Sequence, residues 1–384
     1  MLRNSRAPIL RTLFICCMLL ATGPAFGQEL GHAEPPSWSF DDLAVERYVQ
    51  ARHEAELLAM PGVRGVGIGL GEDGLPALLV MVEGDAARAR AAIPARLDGV
   101  AVRVAEVVGG GATNGGTGCV GSGGCHDQLF AKPIPMGTST SSQLACDAGT
   151  LGFKACDATQ GYAGYVTAMH VATRDASFCE GRAPIGTQQV HRGKAETSPT
   201  CNSNFAIGSL DRFVPVNATG NLVDAAFVRS NDNRTSPSTL DYSWLPTAAV
   251  APALGTCVVK SGRTTGFTPA RVLAVNVNAS VPKYCLNEPA RTERADFSGL
   301  FQIGYDDGSC GTCADPPCWD VAKGGDSGSA VYNKLLKGFL HGLLFANVGF
   351  RNSSDPDGVE EQGLVAPAPT VLSELDLELC LINP

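Results

Sequence analysis

The stretch Gly324-Gly-Asp-Ser327-Gly-Ser-Ala-Val-Tyr332 sets a serine in a glycine-rich turn directly before an apolar run. A serine hydroxyl is a weak nucleophile until a base stands beside it, and acyl transfer also needs backbone N–H groups converging on the developing oxyanion. Glycines serve both needs, because such a turn takes backbone conformations closed to other residues and leaves its N–H groups approachable. Ser327 is the candidate nucleophile, and the N–H groups of Gly325 and Ser327 are the candidate oxyanion donors. The plainer alternative, a serine in an ordinary surface turn, sits badly with Ala330-Val-Tyr332, which marks a buried strand. Two further stretches offer the base and its orienting acid. Tyr165-Val-Thr-Ala-Met-His170 is an apolar strand running into a histidine, a place where a histidine is more often structural. Asn221-Leu-Val-Asp224-Ala-Ala-Phe-Val228 puts a carboxylate inside an apolar strand, where an unpaired charge is costly and demands a donor or cation. His170 would be that partner. The chain order His170, Asp224, Ser327 allows a triad, and Asp326 is expected to lock the turn rather than to act on substrate.

On these residues the sequence resembles the chymotrypsin/trypsin superfamily, its bacterial secreted branch more than the vertebrate digestive enzymes. Thr167-Ala-Met-His170, Asp224-Ala-Ala-Phe227 and Gly325-Asp-Ser-Gly328 match the family's three segments in order. Lys260-Ser-Gly-Arg-Thr-Thr-Gly266 and Gly338-Phe-Leu-His-Gly-Leu-Leu-Phe-Ala346 resemble the strands that open the second barrel and follow the nucleophile. The resemblance covers about residues 130–370. It implies an all-β fold of two orthogonally packed six-stranded antiparallel barrels, with His170 and Asp224 from the first, Ser327 from the second and the site in the cleft. It also implies serine endopeptidase chemistry on polypeptide substrates through an acyl-enzyme, with no cofactor and no metal. Counting back from Ser327, the residue at the base of the primary pocket falls on Val321, with Asp320 one place away, which suggests a preference for an apolar or small side chain; Phe345 and Asn347 are expected as pocket walls. Two departures, the missing cysteine after His170 and Ser329 in place of a second glycine, leave the disulfide pattern open. An inactive double-barrel binding protein is the rival reading. A lipase of the α/β-hydrolase type would need the order serine, acid, histidine.

The elements that must carry these residues fall into two textures. Residues 128–384 show short β-like runs cut by Gly, Asn, Pro and Ser, closed by helical spacing from Thr370 to Leu381. Residues 40–108 form a separate small α–β–β–α–β pattern: a helix over 41–58, strands over 62–70 and 75–82, a short helix over 85–93 and a third strand over 100–107. Between them, residues 109–127 are a Gly-rich linker by composition. This cysteine-free unit is a candidate pro-domain, an intramolecular partner restraining the catalytic region, or else a permanent accessory domain.

Before it, Arg3, Arg6 and Arg11 precede a short apolar run and small residues ending at Gly27, the layout of a cleaved export signal over 1–27 and too short for a membrane anchor. The protein is thus expected to be secreted or periplasmic. Cys16 and Cys17 fall in that signal, leaving twelve of the 14 cysteines, an even number suited to a disulfide framework in an exported chain. A zinc site at Cys310-x-x-Cys313 lacks a second pair or a nearby histidine. A net charge of −9 argues against nucleic acid as a partner.

Overall fold

The computed structural model describes residues 36–112, 126–175, 182–284, 293–305, 310, 320–353, 355 and 357–380. The export signal, most of the Gly-rich linker and Cys313 lie outside the described residues. The amino-terminal part contains α1 (Ala44–Leu58), β1 (Val63–Leu70), β2 (Pro76–Glu83), α2 (Ala86–Ala92), β3 (Arg96–Leu97) and β4 (Val100–Gly111). It matches the expected α–β–β–α–β order, with β3 added. Asp85 caps α2 by accepting from the Arg88 N–H, which satisfies a donor the helix cannot use.

The next part holds β5 (Ile134–Met136), β6 (Ser139–Ser142), β7 (Gly149–Thr150), β8 (Phe153–Asp157), β9 (Tyr162–Thr167), α3 (Met169–Ala172), β10 (Gln188–Val190), β11 (Ala206–Phe213), β12 (Ala226–Arg229) and β13 (Thr235–Thr239). Seven of these strands pair in the order β7-β6-β10-β11-β12-β9-β8. The two end strands, β7 and β8, are consecutive in the chain with only Leu151 and Gly152 between them, so the sheet curls on itself. Phe153, Val166 and Phe227 share one face of it and Tyr165 and Leu210 the other, all essentially without exposure.

The last part comprises β14 (Ala248–Ala249), β15 (Cys257–Gly262), β16 (Gly266–Tyr284), β17 (Glu293–Gly304), β18 (Ala330–Asn333), β19 (Phe339–Arg351), β20 (Val359–Pro367) and α4 (Ala368–Glu374). Here the antiparallel pairings form a ring: β15 with β18, β18 with β19, β19 with β20, β20 with β17, β17 with β16, and β16 back to β15. A ring leaves no unpaired strand edge. Val258, Val272, Ile303, Val331, Leu344 and Val365 pack inside it.

The amino-terminal strands do not stand apart from this ring. β1 pairs antiparallel with β16 over Gly65–Gly69, and β4 pairs antiparallel with β19, Gly111 opposite Asn347 and Gly109 opposite Gly349. Since β2 bridges β1 and β4, the strands β16, β17, β20 and β19 are shared with a second closed circuit through β4, β2 and β1. The expected linker therefore begins later than residue 109: its first three glycines are strand, because β19 supplies the backbone partners that a free linker would lack. The carboxyl-terminal helix is likewise shorter than its apolar spacing suggests. It ends at Glu374, after which the chain runs to Cys380, at disulfide geometry with Cys156 and 5.0 Å from it between Cα atoms. Cys146 with Cys201 and Cys257 with Cys310 are the other such pairs among the described residues.

Candidate active site

His170 sits in α3, a single turn that follows β9 at once, and every residue of that turn is buried. Asp224 lies two residues before β12, the strand that pairs with β9. The neighbouring strands thus deliver histidine and aspartate to the same end of the first sheet. His170 Nδ1 is 2.7 Å from Asp224 Oδ2, and the His170 backbone N–H donates to Asp224 Oδ1 at 3.1 Å. A third donor, the Tyr284 hydroxyl, reaches Oδ2 at 2.6 Å from the end of β16. Burial by itself would push the fully enclosed Asp224 carboxyl up; the His170 charge and these donors hold it below the ordinary carboxylate range instead. Tyr284 was not legible as a site residue, because nothing in its local sequence marks a strand end that crosses to the other sheet.

Ser327 lies in the turn before β18. Gly325 and Gly328 flank it with φ of 100° and 99°, conformations that a side chain would strain. The turn is gripped from the β15–β16 loop. Asp326 accepts from the backbone N–H groups of Thr264 and Thr265 at 2.9 and 3.1 Å and from the Thr265 hydroxyl at 2.8 Å. Thr264 and Thr150 hydroxyls hold the carbonyls of Gly324 and Gly325. Behind Asp326 stands Lys260, 3.5 Å away and wholly buried. Burial lowers the Lys260 ammonium, and Asp326 opposes the shift. Asp326 is therefore the turn's lock, as its position between Gly325 and Ser327 suggested.

The two halves meet at Gly149. A Cβ built there would stand 2.4 Å from a methyl of Val171, the residue after His170, and 3.0 Å from the carbonyl oxygen of Ser327. Only glycine lets the nucleophile turn approach α3 so closely. The Ser327 hydroxyl donates to the Phe345 carbonyl at 2.9 Å, and His170 Nε2 is buried without a hydrogen-bond partner among the described residues.

The expected pocket residues are placed differently from one another. Val321 is fully buried within the second ring beside Ile303, Leu344 and Val365, so it fills the core rather than lining open space. Phe345 offers Ser327 its carbonyl, while its ring is buried with its centroid 4.7 Å from that of Phe297. Asn347 faces Gly111 across the β19–β4 ladder. Asp320 pairs with Lys323 at 2.6 Å, and Glu361 beside them is pushed up to about 8, first by burial and then by Asp320. No group of three or more metal-ligating side chains occurs among the described residues.

Two curled antiparallel sheets place histidine and aspartate on the first and serine on the second. The fold is chymotrypsin-like. No protein-family model matches the chain, and no curated protein does. Among solved structures it is similar to Thermobifida fusca protease A (20% identity, TM-score 0.39, covering 64% of this chain and 97% of that one). It is also similar to Nocardiopsis protease (20%, TM-score 0.40, 64% and 98%) and Cellulomonas bogoriensis chymotrypsin (18%, TM-score 0.37, 65% and 99%).

Proposed function

We propose that the protein is an exported serine endopeptidase in which Ser327 is the nucleophile, His170 the general base and Asp224 the group that orients it. The observation that carries this reading is the buried His170–Asp224 pair, joined at 2.7 Å, whose other ring nitrogen Nε2 has no hydrogen-bond partner among the described residues. The reading requires the Ser327 hydroxyl to leave the Phe345 carbonyl, which it meets at 2.9 Å, for that nitrogen. His170 then takes the hydroxyl proton as Oγ attacks the peptide carbonyl, and the N–H groups of Gly325 and Ser327 stabilise the oxyanion. Collapse of the tetrahedral species returns the proton to the leaving amine; water releases the acyl group by the same route. Asp224 holds the tautomer that makes Nε2 the acceptor.

One observation favours the rival reading of an inactive binding protein: the Ser327 hydroxyl is bonded to a carbonyl, not to the imidazole. A fluorophosphonate probe separates the two. Labelling at Ser327, absent in Ser327→Ala, together with a fall of about 10⁶-fold in peptide hydrolysis, is the expected result. Absence of labelling in the wild-type chain, or retention of more than about a hundredth of the rate in the variant, would overturn the assignment.

A further inference from the structure

Tyr284 belongs by chain to the second sheet, yet its hydroxyl ends on the first sheet's aspartate. It shares Asp224 Oδ2 with the imidazole, donating at 2.6 Å while His170 Nδ1 stands at 2.7 Å. Its ring meets the His170 ring edge-on, centroids 6.3 Å apart at 89°. On its other side the ring tilts against Phe297 at 5.6 Å, and Phe297 against Phe345 at 4.7 Å. The Phe345 carbonyl in turn receives the Ser327 hydroxyl. Three aromatic rings from β16, β17 and β19 therefore run from Asp224 to the strand whose carbonyl receives the Ser327 hydroxyl.

The arm bearing Tyr284 is held from both sides. The first sheet grips β17 through Asn221, whose N–H donates to the Asp296 carbonyl at 3.2 Å and whose carbonyl accepts from Ser298 at 2.9 Å. The amino-terminal unit grips β16: β1 pairs along it, Gln50 and Glu54 bond Asn276 and Asn278, and the Ala112 N–H donates to the Pro282 carbonyl, two residues from Tyr284.

We infer that Tyr284 is a positioning residue for the triad, its hydroxyl fixing the Asp224 carboxylate so that His170 keeps its working orientation. The inference rests on the endopeptidase reading for its kinetic consequence but not for its structural one. A buried carboxylate with two donors on one oxygen cannot swing about its Cβ–Cγ bond without losing one of them, and donors to an ionised group are the strong ones. The Tyr284 donor also draws charge away from the imidazole. The groups facing Asp224 are His170 and, four residues on, Arg174, itself paired with Asp147 at 2.9 Å, together with Tyr284 from β16. Removing the Tyr284 hydroxyl leaves the carboxylate charge to His170, which then holds its proton to higher pH.

The test is Tyr284→Phe in the full chain, which keeps the ring and its packing. The expected kinetic result is a fall in kcat of about tenfold to a hundredfold, the usual weight of a donor to a charged group, with KM nearly unchanged. The acid limb of the pH–rate profile moves to higher pH. Independently of turnover, the His170 ring titration followed by NMR moves up in the variant. An unmoved titration midpoint and an unmoved acid limb overturn the inference, even if activity drops through lost stability. Absence of fluorophosphonate labelling in the wild-type chain overturns the endopeptidase reading instead, and the NMR titration still decides the role of Tyr284.

Discussion

Asp224 has no exposure to solvent, and its charge is tolerable only because three donors meet it. Asp224→Asn keeps the shape but turns an acceptor into a group that can donate, so the imidazole is held in the wrong tautomer. The expected cost is about 10⁴-fold in kcat, read by steady-state hydrolysis of a peptide ester and amide. The same substitution has a consequence for stability. A carboxyl lowered in the folded state contributes stability above its unfolded titration range and loses it as pH falls through that range to the folded value. The variant should therefore show a shallower loss of stability than the wild type between about pH 5 and pH 2, measured by denaturant titration at a series of pH values. His170, Asp224 and Ser327 stood out in the sequence because each sits in a short stretch whose composition already demands an explanation, and the fold brings the first two within 2.7 Å. The burial of Val321 and Phe345 was not legible, because counting from Ser327 gives a position along the chain but not what the side chain packs against.

At the scale of elements, the turn carrying Ser327 is held by the β15–β16 loop as well as by its own bonds, such as the Lys323 N–H to Asp326 Oδ2 at 2.9 Å. The sequence Lys260-Ser-Gly-Arg-Thr-Thr-Gly266 could be read as a strand and turn, but not as the clamp on Asp326 and on the Gly324 carbonyl, because those contacts span about sixty residues of chain. The β4–β19 ladder was hidden for a similar reason. Glycines in a row signal flexibility until a partner strand is present. At Gly110, φ is +118°, and a Cβ would meet the Asn347 carbonyl oxygen at 2.4 Å and the Val348 Cα at 2.7 Å, so a side chain there must push the strands apart. That ladder ends two residues short of Phe345, along the strand beside which an extended polypeptide would lie if β19 is the substrate-binding strand. Gly110→Val is accordingly expected to raise the rate of cleavage of extended peptides several-fold while leaving hydrolysis of a small ester unchanged. Equal rates for wild type and variant on the extended peptide would show that β4 does not restrict access.

The molecule as a whole places two rings of strands side by side through shared members: β16, β17, β20 and β19 belong both to the ring completed by β15 and β18 and to the circuit closed by the amino-terminal strands. Composition and turn spacing made the β-rich class legible, and hydrophobic periodicity gave the amino-terminal elements in order. Their fusion to the second sheet was not legible, since pairing between distant strands leaves no periodic trace. Cysteine connectivity was hidden too, for an even count fixes only that pairs can form.

The pair Cys156 and Cys380 closes a span of 224 residues, and His170, Asp224 and Ser327 all fall within it. With that bond formed, the chain is, as a covalent object, a large loop carrying an amino-terminal tail. Cutting a loop once opens it but does not divide it. A single nick between Asp157 and Glu378, made by an added protease in a surface segment, should leave one band of full-length size on a non-reducing gel and two bands after reduction. Separation into two fragments without reductant would mean that this bond is not formed. A nicked molecule of this topology keeps His170 and Ser327 covalently tethered to each other, so damage that would divide a linear chain leaves this one a path back to its assembled form.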